Sequence, residues 1–419
     1  MKVMKFGGAS VKHAAAVQNV TNIIQQYLDH PCMVVISAMD KTTNHLENLA
    51  YLARDGKEKQ AWEQFDKIQE FHFGQIEELF EGENLEAVQS HVEPFFKEMQ
   101  RIVRGILLLE EFPPRTYDRI VCYGELLSTT IVAAYLRSQG VDAQWIDARR
   151  VIKTDASYQQ GEVIWSLTEQ NIREKVTPLM QAGRVLISQG FIGSTIDDNT
   201  TTLGREGSDY SGSIFATGLG ADSLTVWKDV PGILNADPRL REDTIKIDHL
   251  SYEEAVEMTF YGASVIHPKT IKPIFNKGIP LNVKSFIDID APGTVISEKT
   301  NAQPITSYII KKEQRFFQIK PKDFSFMEER LMQRIFDHIY KSGVKVNLVQ
   351  NSAISLMICV DDNASSVSEF QSLLLDRFEV SSQSGLKLYT VLNFQVKDLK
   401  DASDALMVQQ HENKLYMVK

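Results

Sequence analysis

A buried strand that runs into a polar, glycine-bearing loop and then into a helix constrains this chain more than any other stretch. Val185-Leu186-Ile187-Ser188 reads as the strand and Ser213-Ile214-Phe215-Ala216-Thr217 as a short helix. Between them lies Thr200-Thr201-Thr202-Leu203-Gly204-Arg205-Glu206-Gly207-Ser208-Asp209-Tyr210-Ser211-Gly212. In α/β folds, a loop at the carboxyl end of a strand is where ligands bind. The first N–H groups of a helix have no partner inside it and can hold an anion. Arg205 adds a planar fork that matches a carboxylate or a phosphate. Asp209 can orient a cation or a donor there, or it can simply cap the helix.

The same alternation runs through most of the chain. Lys2 to Phe6 reads as a strand, Gly7-Gly8-Ala9-Ser10 as a tight loop, and Val11 to Leu28 as a helix with Val17, Val20, Ile23, Ile24 and Leu28 apolar. Glycines at Gly7 and Gly8 let the backbone approach phosphate oxygens, and Lys5 can aim an ammonium into the same space. Met33 to Ala38 is a second strand, followed by the polar loop Met39-Asp40-Lys41-Thr42-Thr43-Asn44. Leu46 to Leu109 is helical and charged, as in a cap or an extended hairpin beside the sheet. Arg119-Ile120-Val121-Cys122-Tyr123 reads as a third strand. A helix opens at Gly124-Glu125-Leu126, where Glu125 either caps the helix or accepts a hydrogen bond from a substrate amine.

Further strands are expected at Val141 to Ile146, Ser223 to Lys228 and Ile279 to Phe286, with a helix from Gln170 to Met180. Asp229, Asp237 and Arg239 sit in a loop with two prolines, where they either face a nucleotide or hold the turn. Ser251-Tyr252-Glu253-Glu254 has the form of a capping box, and His267 before Pro268 reads as a hydrogen-bonded structural histidine. These alternations specify a mostly parallel sheet covered on both faces. Ala291-Pro292-Gly293-Thr294 is the expected boundary. Beyond it, strand, helix, strand, strand, helix and strand follow in the βαββαβ order of a small ferredoxin-like unit.

The 419 residues suffice for two or three domains at roughly 100–200 residues each. The formal net charge of −10 argues against a nucleic-acid partner, which needs a basic surface. Cys32, Cys122 and Cys359 are far apart and match no metal or disulfide spacing, which points to a reducing compartment. The amino terminus lacks the long apolar core of a signal peptide. No apolar run of about 18 residues stands out in the sequence, so a cytoplasmic protein with no membrane contact is expected.

The loops together resemble the aspartate kinases. Lys5-Phe6-Gly7-Gly8-Ala9-Ser10-Val11 resembles their K-F-G-G start, and Leu203-Gly204-Arg205-Glu206-Gly207-Ser208-Asp209 resembles their L-G-R-G-G-S-D loop. Tyr123-Gly124-Glu125-Leu126-Leu127-Ser128 is similar to their F-G-E-L helix start. Lys228-Asp229-Val230-Pro231-Gly232-Ile233, then Ala236-Asp237-Pro238-Arg239, is similar to T-D-V-x-G followed by A-D-P-R, and Ser264-Val265-Ile266-His267-Pro268 to K-V-L-H-P. The βαββαβ unit resembles the family's regulatory ACT domain.

The resemblance implies an amino-acid-kinase fold over residues 1–293 and an ACT region over 294–419 for regulation and dimerisation, with the second ACT unit reduced. It implies transfer of the ATP γ-phosphoryl to the β-carboxylate of L-aspartate. The product is 4-phospho-L-aspartate, on the way to lysine, threonine and methionine. Lys5 and Asp209 would be catalytic. Thr43, Glu125, Arg205 and Ser208 would hold aspartate. Lys5, Gly7, Gly8, Lys228, Asp229 and Arg239 would border the nucleotide. Mg²⁺ would be held mainly by the ATP phosphates, with no protein metal site, and a homodimer through the ACT region is expected.

Three departures carry expectations of their own. Ser264 stands where the family usually has lysine and Lys228 where it has threonine, as if one cation had moved between strands. Glu206 replaces a glycine of the anion loop. Asn347 and Ala353 stand where lysine-sensitive members carry acidic residues, so weak or absent inhibition by lysine is expected. The alternatives are a kinase of the same fold acting on glutamate, carbamate or a nucleoside monophosphate, and a non-catalytic amino-acid sensor.

Overall fold

The structure, a computed structural model, describes residues 1–263, 266–299 and 304–419. Two compact units emerge. The first comprises Met1–Ile233, Asp248–Ala255 and Ile266–Thr300, and the second Leu234–Ile247, Val256–Val265 and Asn301–Lys419.

The strands of the first unit are β1 (Lys2–Phe6), β2 (Cys32–Ile36), β3 (Ala143–Ile146), β4 (Val185–Gln189), β5 (Ile192–Ser194), β6 (Thr200–Thr202), β7 (Ser223–Lys228), β8 (His249–Ser251), β9 (Leu281–Ser285) and β10 (Thr294–Ser297). All but β5 and β6 form one sheet in the order β3-β4-β2-β1-β7-β9-β10-β8. The run from β3 to β9 is parallel, and β9–β10 is the antiparallel step. Every residue of β2 and β4 is buried, as expected of central parallel strands covered on both faces. From β1 the chain first adds strands on one side, through β2, β4 and β3, and then on the other, through β7 and β9. That reversal beside β1 opens a crevice at the carboxyl ends of the strands.

Helices fill the connections: α1 (Ala14–Gln25), α2 (Thr42–Arg54), α3 (Glu58–Leu79), α4 (Gly82–Leu109), α5 (Pro114–Val121), α6 (Tyr123–Ser138), α7 (Trp165–Asn171), α8 (Thr177–Gln181), α9 (Gly207–Leu219), α10 (Tyr252–Phe260) and α11 (Pro268–Phe275). The charged region after β2 is the expected helical layer, with α2, α3 and α4 packed on one another. Ser251 and Glu254 exchange hydrogen bonds as the capping box requires, each 3.0 Å. The His267 Nδ1 accepts from the Lys269 N–H at 3.1 Å, so this histidine does cap α11. All three cysteines are buried and unpaired.

The structure corrects three expectations. Arg119 to Tyr123 is not a strand: Arg119 to Val121 end α5, and α6 begins at Tyr123. Pro114 presets the first helical turn, and a run this short cannot distinguish the two periodicities. The helix expected from Ser213 begins at Gly207 instead, so Asp209 lies in its first turn. The β5–β6 hairpin interrupts what reads as a plain loop. One stretch among the described residues, Pro114–Ser138 across α5 and α6, is long and apolar enough to cross a membrane by length and composition alone, and 83% of its apolar window is buried inside the protein.

The second unit carries β11 (Ser307–Pro321), α12 (Glu329–Ser342), β12 (Val346–Ser352), β13 (Ser355–Asp361), α13 (Ala364–Leu374), β14 (Phe378–Leu392), β15 (Met407–His411) and β16 (Lys414–Val418). The first six are the expected βαββαβ order. Their strands lie side by side as β12-β13-β11-β14, the ferredoxin-like arrangement, and β16 and β15 extend the sheet beyond β14. Phe317, Ile319, Ile335, Leu356, Ile358, Phe370 and Phe378 fill the core between this sheet and its helices.

Candidate active site

Lys5 is the penultimate residue of β1, level with Val35 of β2 and Val226 of β7. It is held at the carboxyl end of the central strand by neighbours on both sides. Its Nζ lies 2.6 Å from Asp209 Oδ1. Lys228, the last residue of β7, brings a second ammonium to the other oxygen, 3.2 Å from Asp209 Oδ2. Burial alone would push the Asp209 carboxyl up. The two ammonium groups more than reverse that and hold it below the usual carboxylate range. The triad therefore carries one net positive charge where β1, β7 and the start of α9 meet.

These residues line a cavity of about 600 Å³. Gly8, Ser37, Ala38, Asp40, Thr43 and Asn44 form the wall that follows β1 and β2, and residues 204–209 form the wall at the start of α9. Gly8 is required there: a Cβ would come within 2.8 Å of the Ala38 and Asp40 carbonyl oxygens. Glu206 adopts the left-handed conformation at φ 57°, in a loop position the family usually gives to glycine.

Glu125 reaches the cavity from α6 and is 3% exposed. Its Oε1 accepts from the Ala38 N–H at 3.3 Å. Its Oε2 has no hydrogen-bond partner among the described residues. Burial pushes the carboxyl up to about 8, against the opposing pull of the Ala38 N–H and Lys5. An unpartnered buried acceptor in a ligand-sized cavity is a receptor for a cationic donor.

The cavity thus gathers Lys5, Gly8, Thr43, Glu125, Arg205, Ser208, Asp209 and Lys228. Gly7 stands beside it, where a Cβ would lie 3.5 Å from the Lys5 Nζ. Asp229 is exposed and does not line the cavity. Arg239 belongs to the second unit, exposed and paired with Asp237 at 2.8 Å, in the turn geometry that was the alternative for this loop. Ser264 lies outside the described residues. Lining residues that sequence reasoning missed are Ser37, Tyr117, Gln159, Gln160 and Phe191. Tyr117 lies in α5, in a stretch to which the sequence reading assigns no element. Gln159 and Gln160 come from a segment without periodic structure that offers no signal.

Comparison with known proteins agrees with this geometry. The model of the amino acid kinase family matches residues 1–285. Lysine-sensitive aspartokinase 3 of Escherichia coli (strain K12) is 30% identical over 406 residues, covering 93% of this chain and 86% of that protein. Chloroplastic aspartokinase 1 of Arabidopsis thaliana is 31% identical over 366 residues, and the match spans 86% of this chain but only 63% of the plant protein's length. The crystal structure of E. coli aspartokinase III in complex with aspartate and ADP has a TM-score of 0.86 at 28% identity, covering 100% of this chain and 96% of that one. With the Lys5, Asp209 and Lys228 triad at the switch point of its sheet and these relatives along nearly its whole length, the chain belongs to the amino acid kinase family, among its aspartokinases.

Proposed function

We propose that this protein is a cytoplasmic aspartate kinase that transfers the γ-phosphoryl group of ATP to the β-carboxylate of L-aspartate. The observation that carries the reading is the pairing, in one cavity, of a cationic Lys5–Asp209–Lys228 triad with the unpartnered carboxylate oxygen of Glu125. The triad suits a polyphosphate, and Glu125 suits the acceptor's ammonium. Arg205 supplies a fork for a carboxylate, and Thr43 and Ser208 complete the polar lining around it.

The acceptor carboxyl, with an ordinary pKa of about 3.9, is already ionised at neutral pH. No general base is required. The obstacle is bringing two anions together, so catalysis rests on positioning and charge neutralisation. Lys5 and Lys228 face the phosphates, while Asp209 fixes both ammonium groups and keeps them from turning to the acceptor. Among the described residues no three His, Cys, Asp or Glu side chains converge on a metal-sized point. In this reading Mg²⁺ is carried on the nucleotide phosphates and adds to their neutralisation. An ADP-release assay with aspartate, glutamate, carbamate and a nucleoside monophosphate as acceptors tests the reading. Turnover with aspartate alone is expected. Turnover with another acceptor while aspartate is inert, or no turnover with any, overturns it.

Lys228 carries the cation that Ser264 lacks. Lys228→Thr alone is expected to raise the ATP KM about tenfold, and adding Ser264→Lys to bring it back to within about threefold of the parent. A double variant as weak as the single one would reject the exchange.

Regulation is read from the second unit. Three register shifts in its sheet, at Lys311/Gln314 and Gln314/Phe316 of β11 and at Val346/Leu348 of β12, accompany a half-buried polar cluster. The Lys311 ammonium donates to Asn347 Oδ1 at 2.8 Å and pairs with Asp361 Oδ1 at 2.7 Å. The Asn347 amide donates to Gln314 Oε1 and to Asp361 Oδ1, both at 2.7 Å. A cation of the chain itself thus satisfies the polar groups around Asn347, where lysine-sensitive relatives carry an aspartate. Free lysine at about 10 mM, about ten-thousandfold above a micromolar effector affinity, is expected to lower the rate by less than about twofold. Inhibition beyond tenfold would contradict this. Edge strands β12 and β15 leave backbone groups for a second copy to pair, consistent with a homodimer through this sheet.

A further inference from the structure

Asp118, near the end of α5, is a fully buried carboxylate outside the reacting triad. Among the described residues it has no ion-pair partner within reach; three hydrogen-bond donors hold it instead. The Gln159 N–H donates at 2.9 Å to Oδ2 and 3.1 Å to Oδ1. The Thr202 N–H donates at 2.9 Å to Oδ2, and the Thr202 hydroxyl at 2.8 Å to Oδ1. Burial pushes the carboxyl up, opposed by these donors.

The two segments that Asp118 grips, residues 159–161 and the end of β6, both line the cavity, through Gln159, Gln160, Thr202 and Gly204. They are also joined to each other: the Gly161 N–H donates to the Thr202 carbonyl at 2.8 Å. Gly204 follows at φ 77°, and a Cβ on it would stand 3.1 Å from the Gln159 carbonyl oxygen. The chain then turns directly into Arg205 and the start of α9. One carboxylate therefore ties α5, the 159–161 segment and β6 together behind the loop that presents Arg205 and Ser208.

We propose that Asp118 is a positioning residue for the acceptor: its carboxylate sets the Gln159 and Thr202 backbones and thereby the place of Arg205 and Ser208. The proposal rests on the reading of that loop as the aspartate subsite. A carboxylate is specified because all three groups facing it are donors. Asparagine in its place would turn an NH₂ against at least one of them. A displacement of about 1 Å in a substrate-holding group is enough to cost a large factor in binding or rate.

Steady-state kinetics of Asp118→Asn, Thr202→Val and Thr202→Ser, with thermal unfolding of each, test the proposal. Asp118→Asn is expected to raise the aspartate KM about tenfold or more, with kcat within about threefold and the ATP KM within about twofold of the parent. Thr202→Val, which loses one donor, is expected to raise the aspartate KM about threefold, and Thr202→Ser, which keeps it, to leave it unchanged. If Asp118→Asn does not fold, the valine–serine pair decides. A folded Asp118→Asn or Thr202→Val protein with the parental aspartate KM overturns the proposal. So does an equal loss in kcat and in both KM values, which marks a merely structural role. Arg205→Ala separates the two layers: if it leaves the aspartate KM unchanged, the subsite reading has failed, whereas a large rise beside a silent Asp118→Asn fails Asp118 alone.

Discussion

Lys5→Met is expected to lower kcat about a thousandfold while changing the aspartate KM by less than about threefold. The ammonium lies where charge must be neutralised as the γ-phosphoryl moves, against Asp209 at 2.6 Å and deep in the cavity. A loss of that size is about 4 kcal/mol of transition-state stabilisation, within the range for a preorganised electrostatic contact in a water-poor site. Methionine keeps most of the side chain's volume, so the change isolates charge from packing. It leaves Asp209 with Lys228 as its remaining cation, and some thermal stability should be lost with it. Near-normal kcat in Lys5→Met would remove Lys5 from the chemistry.

Glu125→Gln is expected to raise the aspartate KM about a hundredfold and to flatten its pH dependence. In the parent, the carboxyl is pushed up to about 8 by burial, so at neutral pH the empty site holds mostly the protonated form. Pairing with the acceptor's ammonium needs the carboxylate. Binding therefore releases a proton, and the aspartate KM should fall as pH rises from about 6 toward about 8, by at most about tenfold per unit. Glutamine has no such proton to lose.

The sign for stability runs the opposite way. Between the ordinary glutamate pKa of about 4.3 and the raised value, the unfolded chain has lost this proton and the folded chain retains it. Rising pH across that window weakens the empty fold. Thermal unfolding from about pH 5.5 to about pH 8.5 should show Glu125→Gln gaining on the parent as pH rises. A parallel pair of curves, or an unchanged aspartate KM, would contradict the role given to Glu125.

What could be read from the sequence was what short segments encode by themselves. The Lys5-Phe6-Gly7-Gly8 turn and the 203–209 loop each end a strand or open a helix, and the spacing of their polar residues survives without tertiary information. Asp209 meets Lys5 because the 203–209 loop, leaving the β5–β6 hairpin, opens α9 against the carboxyl end of β1. Residues 119–123 misled because Ile120 and Val121 are β-branched, while Pro114 and the burial of Asp118 on one face decide for helix. Gln159 and Gln160 were not legible as cavity wall: their approach depends on the buried Asp118 carboxylate, which has no periodic signal. The Lys311–Asn347–Asp361 cluster was hidden for a related reason. It depends on bulges in β11 and β12, and a bulge shifts the face a side chain occupies without leaving a pattern in composition.

Trapping the product tests the central claim most directly. With MgATP, L-aspartate and hydroxylamine, an acyl phosphate formed on the β-carboxylate is captured as the β-hydroxamate, which can be counted against ADP. One hydroxamate per ADP is the expected result, lost together with ADP release in Lys5→Met. ADP formed without hydroxamate, or hydroxamate formed undiminished by Lys5→Met, would contradict phosphoryl transfer to a carboxylate steered by this triad.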